Sequence, residues 1–176
     1  MISLSASKIL TEHRLLNTEP MLKPIGNRKS HSTGGHFAIV ASKYNARYVN
    51  GMLKAAERCL RSASAESTRI VRVPGAFEIP VVAATLARAH LPPLAAIICL
   101  GVILRGQTTH AQNIAEAITQ SLAHIQIETG VPIIHEVLLL ENEQQAQVRC
   151  LSFKHNRGTE AAQSALEMRK IMESLR

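Results

Sequence analysis

The amino-acid sequence predicts an α/β protein, a three-layer sandwich in which helices flank a mostly parallel four-stranded sheet. Three observations support this prediction. Short apolar runs alternate with longer segments whose apolar residues recur at helical spacing. The run at residues 95–101 is apolar on both faces, which is typical of a central parallel strand. The chain has 176 residues, of which 46% are apolar, so a single domain can bury a core without metals or disulfides.

The first half of the folded region contains two strands and two helices. We expect strands at residues 37–41 and 70–73. Between these strands, apolar side chains repeat with a helical period at Val49, Met52, Leu53, Ala56 and Leu60. Pro74 and Gly75 turn the chain after the second strand, and residues 77–89 are predicted to form the next helix.

The second half repeats this alternation. The third strand is expected at residues 95–101, and a loop at residues 102–109 leads into a helix. One face of that helix is apolar and consists of Ile114, Ile118, Leu122 and Ile125. A fourth strand is expected at residues 133–139. Ligands bind at the carboxyl ends of the strands in such sheets, so the loops that follow the strands are the expected location of a site.

Two capping signals mark the last helices. Asn142 and Gln145, three residues apart, form a capping box that predicts a short helix through Cys150. Gly158 precedes a final helix. That helix carries residues at core spacing, namely Ala161, Ala165, Met168 and Met172.

Residues 1–35 differ from the rest of the chain because they show no sustained periodicity. We expect a flexible N-terminal tail there and a folded domain at residues 36–176. No apolar segment of the tail is long enough for a secretory signal. The cysteines, Cys59, Cys99 and Cys150, form no CxxC pair, which favours a reducing, cytoplasmic location. The basic, Ser-containing tail leaves organelle targeting open, although its two glutamates argue against it.

The charge pattern disfavours several classes of protein. There are 20 Lys and Arg residues against 13 acidic residues, and every acidic residue is Glu. Without Asp, an EF-hand, a Walker B site or a Ser/His/Asp triad lacks a group that it normally uses. Five Phe and Tyr residues in total and no Trp argue against nucleic acid, because bases need flat side chains for stacking. No apolar run reaches the roughly 18 residues of a membrane span. The histidines lack metal-binding spacing, so we predict no metal.

The loop after the third strand nearly matches the phosphate-binding motif GxxxxGK[ST]. It has the sequence GVILRGQTTH, with Gln107 where the motif has Lys. The missing Lys and the absence of Asp argue against ATPase chemistry. Gly106 permits close approach of the backbone, and the N–H groups of Gln107 and Thr108 at a helix start can bind an anion. An ordinary turn with Thr108 or Thr109 as N-cap explains the same residues equally well.

Further candidates lie at the ends of the first three strands. His110 begins a helix, whose dipole favours a neutral imidazole that can exchange protons. Tyr44 can lie against a planar ring, and Asn45 can bond the edge of that ring. The turn after the second strand exposes backbone groups of Ala76, Phe77 and Glu78, which suit a polar ring or a polyol. His110 can equally be a solvated or packed residue, and Phe77 is explained best by a core contact of its own helix. Arg149 and Arg157 can each be solvated surface charges.

Together these segments resemble the 6,7-dimethyl-8-ribityllumazine synthase family of riboflavin synthesis, from about residue 37 to about residue 168. The segments VPGAFEIP, ending at Pro80, and GVILRGQTTH, ending at His110, match the two most specific motifs of the family in order and at compatible separation. Weaker matches are Lys43-Tyr44-Asn45, Gly130-Val131-Pro132, residues 141–146 with Arg149, and Arg157-Gly158. The resemblance implies a flavodoxin-like form of the predicted fold.

The resemblance also implies an enzyme that needs no cofactor. Family members condense 5-amino-6-ribitylaminouracil with 3,4-dihydroxy-2-butanone 4-phosphate and release phosphate and two waters. By resemblance, His110 is the catalytic residue and transfers protons. The pyrimidine and its ribityl chain would contact Tyr44, Asn45, Ala76, Phe77, Glu78, Val102, Ile103, Leu104 and His135. The phosphate would be held by Gln107, Thr108 and Arg149, the last from a neighbouring subunit.

Several positions depart from the family pattern. His135 stands where Phe is usual, and Glu136 stands where Gly is common. Ala111 replaces an aromatic residue, and Phe153 stands where Lys is frequent, while Arg157 keeps the charge at the second basic position. None of these changes removes a residue with an assigned role. They leave room for an altered pH dependence, reduced activity or a specialised paralogue.

The resemblance implies a homo-oligomer as well, a pentamer or an assembly of pentamers with active sites between subunits, and it makes riboflavin synthase a candidate partner. Two alternatives stay open. A non-catalytic lumazine or flavin binder, or a shell-forming scaffold, would keep the ring contacts without needing both His110 and Arg149. A flavodoxin-like phosphate-binding domain explains the fold and the anion loop but not the order of the motifs.

Overall fold

The structure, a computed structural model, describes residues 34–89 and 91–176 of the chain. The strands of this part are β1 (His36–Ser42), β2 (Ser67–Val73), β3 (Ala96–Leu104) and β4 (Ile133–Leu140). The helices are α1 (Ala46–Ser62), α2 (Ile79–Ala89), α3 (His110–Thr129), α4 (Glu143–Leu151) and α5 (Arg157–Ser174). Strands and helices alternate up to α4, as the apolar spacing predicted, and α5 follows α4 directly.

The strands form one parallel sheet in the order β2-β1-β3-β4, which confirms the predicted fold class. Helices α1, α4 and α5 pack on one face, and α2 and α3 pack on the other, so the molecule has three layers and an apolar core on each side of the sheet. β3 is covered on both faces, which explains its nearly continuous apolar sequence. Cys99 lies in the core under α2 and α3, whereas Cys150 lies in the core under α1, α4 and α5.

Helix α1 lies in close contact with α5 and with the end of α4 at two glycines. A Cβ placed on Gly158 of α5 would lie 2.0 Å from the carbonyl oxygen of Met52 in α1. A Cβ placed on Gly51 of α1 would lie 2.5 Å from the carbonyl oxygen of Cys150 at the end of α4. Both positions therefore require a residue without a side chain, because the atoms that a Cβ would meet include backbone, which cannot move aside as the end of a side chain can.

Two asparagines begin α4 and α5 by satisfying backbone N–H groups that lack a partner within the helix. The predicted capping box is present, since Oδ1 of Asn142 accepts a hydrogen bond from the N–H of Gln145 at 3.0 Å. The Gln145 side chain accepts in turn from the N–H of Glu141 at 3.0 Å. At α5, Oδ1 of Asn156 accepts from the N–H of Gly158 at 2.9 Å. This cap starts the helix one residue before Gly158, where we had expected a boundary.

Three element boundaries differ from the prediction by more than one residue. β3 continues beyond Gly101 to Leu104, so the predicted loop at residues 102–109 was wrong in its first part; pairing with β4 extends the strand. β2 begins at Ser67 instead of residue 70 because it is an edge strand bonded only to β1, and its exposed side needs no apolar residues. α2 begins at Ile79, after a turn that the sequence assigned to the helix.

The predicted tail falls almost entirely outside the described residues, since residues 1–33 are not among them. Gly34 and Gly35 are bonded to the domain: the N–H of Gly34 donates to Ser64, and the N–H of Glu66 donates to Gly35. The division into a tail at residues 1–35 and a domain at residues 36–176 stays a prediction. None of the helices in the described residues is both long enough and apolar enough to cross a membrane.

Candidate active site

The register of the sheet leaves one backbone edge of β3 open at the carboxyl end. β1 pairs with β3 only as far as Leu100, whereas β4 pairs with β3 up to Leu104. Successive residues of a strand direct their backbone groups to opposite edges. Val102 and Leu104 therefore direct theirs past the end of β1, while Ile103 faces β4. This open edge is suited to hydrogen bonding with a flat polar ring.

The loop after β1 is fastened to that same edge. Asn45 lies in the left-handed region, with φ of 52°, and its Nδ2 donates to the carbonyl oxygen of Val102 at 2.8 Å. Asn tolerates this backbone conformation better than most residues. Tyr44 precedes it, and 73% of its surface is exposed. The structure therefore places a free aromatic ring beside the open edge of β3, on a loop whose position a side-chain hydrogen bond fixes.

A tight turn after β2 forms the second wall. The N–H of Gly75 donates to Oε2 of Glu78 at 2.8 Å, and a Cβ placed on Gly75 would lie 3.4 Å from Cδ2 of Tyr44. Ala76 lies against β3, because a Cβ placed on Gly101 would be 3.4 Å from that of Ala76. Within the described residues, no donor reaches Oε1 of Glu78. Phe77 is 61% exposed, so the packing explanation for this residue does not hold in the isolated chain.

The third wall is the loop between β3 and α3. Gln107, Thr108 and His110 are all exposed, and a Cβ placed on Gly106 would meet nothing within 4 Å. Thr109 occupies the N-cap position of α3, but its side chain makes no capping hydrogen bond. The alternative of an ordinary turn with a threonine cap therefore agrees with the position of Thr109 but not with its hydrogen bonds, and the loop has the open space over Gly106 that an anion would need.

His135 lies away from the three loops that form the walls of the site. It lies on β4 level with Cys99, five positions before Leu140 at the end of the strand, a separation of about 16 Å at the usual rise of a strand. Its Nε2 is 2.9 Å from Oγ1 of Thr119 in α3, and the same hydroxyl donates to the carbonyl oxygen of Ala115. His135 is the donor in the first contact, because the hydroxyl has only one hydrogen.

The hydrogen bonds around His135 therefore select the tautomer with hydrogen on Nε2. Nδ1 of the ring accepts from the N–H of Val137 at 3.3 Å, which requires that nitrogen to be unprotonated. Burial lowers the pKa of His135, and a backbone hydrogen bond raises it by less. Both the contacts and the burial favour a neutral ring near neutral pH.

Arg149 also lies apart from the other candidates. It occupies the last turn of α4, on the face of the sheet opposite to α3, and is half-buried. No hydrogen bond or ion pair joins it to Gln107, Thr108 or His110 within the described residues. Its positive charge acts instead on Glu136 of β4, whose pKa it lowers. Of the sequence-predicted site residues, His135 and Arg149 therefore lie apart in one chain and Ile103 directs its backbone to β4, while the others lie on the open edge of β3 or on the loops after β1, β2 and β3.

Sequence reasoning missed two arginines that hold the site loops. Arg72 of β2 donates to the carbonyl oxygen of Ser42 at 2.8 Å and to Oδ1 of Asn50 at 2.6 Å, and thus fixes the end of β1 before Tyr44. Arg105 joins β3 to the end of β4, since its N–H donates to Leu140 at 2.8 Å and its Nε lies 3.1 Å from Oε1 of Glu141. Arg72 interrupts the apolar residues of the strand predicted at residues 70–73, and this is the signal that points to it.

No group of three or more His, Cys or Glu side chains within the described part of the chain is arranged to hold a metal ion.

The chain matches the model of a known protein family and is similar to proteins of that family. A protein-family model described as 6,7-dimethyl-8-ribityllumazine synthase matches residues 34–173. Proteins of that name are similar to the chain. One from Stenotrophomonas maltophilia strain R551-3 is 39% identical over 141 residues, which cover 79% of this chain and 90% of the relative. One from Xylella fastidiosa strain 9a5c is 39% identical over 144 residues, covering 81% and 92%. One from Renibacterium salmoninarum is 38% identical over 145 residues, covering 78% and 89%.

Proposed function

The chain belongs to the 6,7-dimethyl-8-ribityllumazine synthase family, and on that premise we propose that it condenses 5-amino-6-ribitylaminouracil with 3,4-dihydroxy-2-butanone 4-phosphate in riboflavin biosynthesis. It is a transferase, and the reaction needs no cofactor. The observation that carries the assignment is the match of the family model across residues 34–173, which includes every candidate site residue.

We propose that the pyrimidine lies between Tyr44 and the open edge of β3. The exposed ring of Tyr44 offers a stacking surface. The N–H of Val102 and the backbone of Leu104 lie beyond the last residue of β3 that pairs with β1 and support hydrogen bonding to the uracil, while the Val102 carbonyl already accepts from Asn45. The free oxygen of Glu78, Oε1, would accept from a ribityl hydroxyl, with Ala76 and Phe77 lining the chain beside it. Asn45 holds this arrangement through its bond to Val102.

The phosphate of the second substrate would lie over Gly106, beside Gln107 and Thr108. Open space above this glycine and the amino terminus of α3 favour an anion there. His110, at the first position of α3, would exchange protons as the imine forms and as phosphate leaves. Holding the amine and the ketone together would supply much of the acceleration.

Arg149 and His135 would complete the site of a neighbouring subunit. Both lie away from the remaining candidates in one chain, which is what an intersubunit role requires. Exposed apolar side chains, including Val81, Ile127 and Phe153, supply surface for subunit contacts. We propose a pentamer or an assembly of pentamers, and riboflavin synthase as a candidate partner. Three free thiols support a reducing, cytoplasmic location.

The direct test is turnover. The purified protein is incubated with both substrates, and lumazine is followed by absorbance and fluorescence, with the double variant His110→Ala, Arg149→Ala as the control. We expect enzyme-dependent product that is lost or greatly slowed in the variant. A folded oligomer that binds a lumazine without accelerating the spontaneous condensation would contradict the proposal and favour a non-catalytic binder.

A mixing experiment tests the shared site separately. Subunits carrying His110→Ala alone and subunits carrying Arg149→Ala alone are dissociated, combined in equal amounts and reassembled. If each site takes His110 from one subunit and Arg149 from the next, about a quarter of the sites in a random mixture regain both residues. If one subunit supplied both residues, no site would be restored, and the activity of the mixture would equal the mean of the two separate variants.

A further inference from the structure

A buried ion cluster lies where β4 meets the start of α5. Glu136 of β4 is 6% exposed, and both of its oxygens accept from Arg157, from Nε at 3.0 Å and from Nη2 at 2.9 Å. The remaining nitrogen, Nη1, donates to Glu160 at 2.5 Å. All three guanidinium nitrogens of Arg157 are thus bound by carboxylates, and the three groups together carry one surplus negative charge when ionised.

A second buried residue connects this cluster to the end of α4. Nδ2 of Asn156 donates to the carbonyl oxygen of Cys150 at 2.7 Å, and its Oδ1 accepts from the N–H of Gly158 at 2.9 Å. Cys150 directly follows Arg149 in the last turn of α4. Hydrogen bonds therefore fix Arg157 to β4 at one end and Asn156 to the backbone next to Arg149 at the other, and Asn156 and Arg157 are neighbours in the chain.

Electrostatic interactions also link Glu136 to Arg149. Burial raises the pKa of Glu136 to about 7, while Arg157 and Arg149 lower it and Glu160 raises it. The Cys150 thiol is the other titratable group close by, and the Glu136 charge raises its pKa as well. Each guanidinium nitrogen of Arg157 is already bound to a carboxylate, and the cluster keeps one surplus negative charge that attracts Arg149.

We propose that Glu136 is a positioning residue for Arg149: through Arg157 and Asn156 it fixes the end of α4, and its charge directs the guanidinium that binds the substrate phosphate. This inference rests on the proposed function, in which Arg149 contacts the phosphate. Glu136 itself touches no substrate. Its effect is on the affinity for the phosphate group and not on the pyrimidine.

The test is the variant Glu136→Gln, which keeps the shape of the side chain and removes its charge. We measure the Kd of inorganic phosphate and the KM of each substrate in the assembled protein. We expect the phosphate Kd and the KM of the butanone phosphate to rise about tenfold, and the KM of the pyrimidine to stay within about twofold. Glu173→Gln is the matched control, because it removes the half-exposed carboxylate that pairs with Arg169 near the other end of α5 and should change neither value.

A pH series distinguishes the positioning role of Glu136 from a general loss of folded structure in the variant. The ionisation of phosphate itself affects both proteins equally, so the ratio of the two phosphate Kd values isolates Glu136. We expect that ratio to be close to one at pH 6, where Glu136 is mostly protonated, and about ten at pH 8. A ratio near one at pH 8, or equal losses for both substrates, would overturn the proposal.

Two further measurements cover other outcomes. If Glu136→Gln does not assemble, Arg157→Lys breaks the two-pronged contact while keeping the charge, and the same selective loss of phosphate affinity is expected. If the wild-type protein makes no lumazine, the proposed function fails, and the phosphate Kd series alone decides whether Glu136 positions Arg149. A wild-type protein that binds no phosphate, or an Arg149→Ala variant that binds it as well as wild type, would overturn the positioning role.

Discussion

Replacing Gly158 by Ala tests how closely α1 and α5 are packed. The new Cβ would lie 2.0 Å from the Met52 carbonyl oxygen and 2.5 Å from its carbon, so the two helices must separate locally by more than about 1 Å. Overpacking of this kind costs about 1–3 kcal/mol, or more where backbone must move. Alanine is the better helix former by about 1 kcal/mol, which offsets only part of this loss. The clash therefore outweighs the propensity.

The expected result is a net loss of about 2 kcal/mol, equivalent to a fall in Tm of about 4–8 °C for a chain of this length. Thermal unfolding is followed by circular dichroism at one protein concentration for all variants, since assembly makes Tm concentration-dependent. Gly106→Ala is the control, because its Cβ meets nothing within 4 Å and Tm should not fall. A Gly158→Ala variant that melts at or above the wild-type temperature would refute the packing argument.

Three other predictions concern single side chains. Asn45→Asp keeps a residue that tolerates the left-handed backbone but removes the donor to Val102. We expect the free energy of unfolding in urea to fall by about 1–3 kcal/mol and the KM for the pyrimidine to rise. Unchanged values in both assays would contradict the role of this bond. Glu136 has a pKa of about 7 in the folded protein against an ordinary 4.5, so it binds its proton more tightly in the folded state. Its contribution to stability is therefore complete below about pH 4.5 and is lost as pH rises through about 7. The loss is about 3 kcal/mol, and urea unfolding between pH 5 and 8 should show it in the wild type and not in Glu136→Gln; parallel curves would rule it out. His135→Phe replaces a ring that is already neutral, so the pH profile of kcat/KM between 6.5 and 8 should keep its shape, and a displaced inflection would show that His135 titrates in that range.

The layered fold could be predicted because its determinants are local. The apolar run at residues 95–101, the apolar residues at 137–140 and the helical spacing after Val49 report burial directly, and Asn142 with Gln145 is a cap made within three residues. The extension of β3 to Leu104 could not be predicted this way, because it depends on pairing with β4, which lies about thirty residues away along the chain.

The sequence could predict which loops form the site but not the individual contacts between their residues. Parallel strands bring the loops after β1, β2 and β3 to one edge of the sheet, which the alternation of elements already implied. The bond from Asn45 to Val102 and the role of Arg72 depend on distances between segments that no sequence spacing reports. Arg149 and His135 were assigned only through family resemblance, and their distance from the other candidates in one chain leaves that assignment to the mixing experiment.

The two buried cysteines lie in separate cores, so the rates at which they react with an alkylating reagent report which side of the sheet opens first. Burial raises the pKa of both thiols, that of Cys150 to about 12, so neither reacts with an alkylating reagent while its core is closed. Alkylation of Cys99 requires α2 or α3 to detach, whereas alkylation of Cys150 requires movement of α1, α4 or α5. Equal rates at the two positions indicate that both layers open in one cooperative event, and unequal rates identify the layer that detaches on its own.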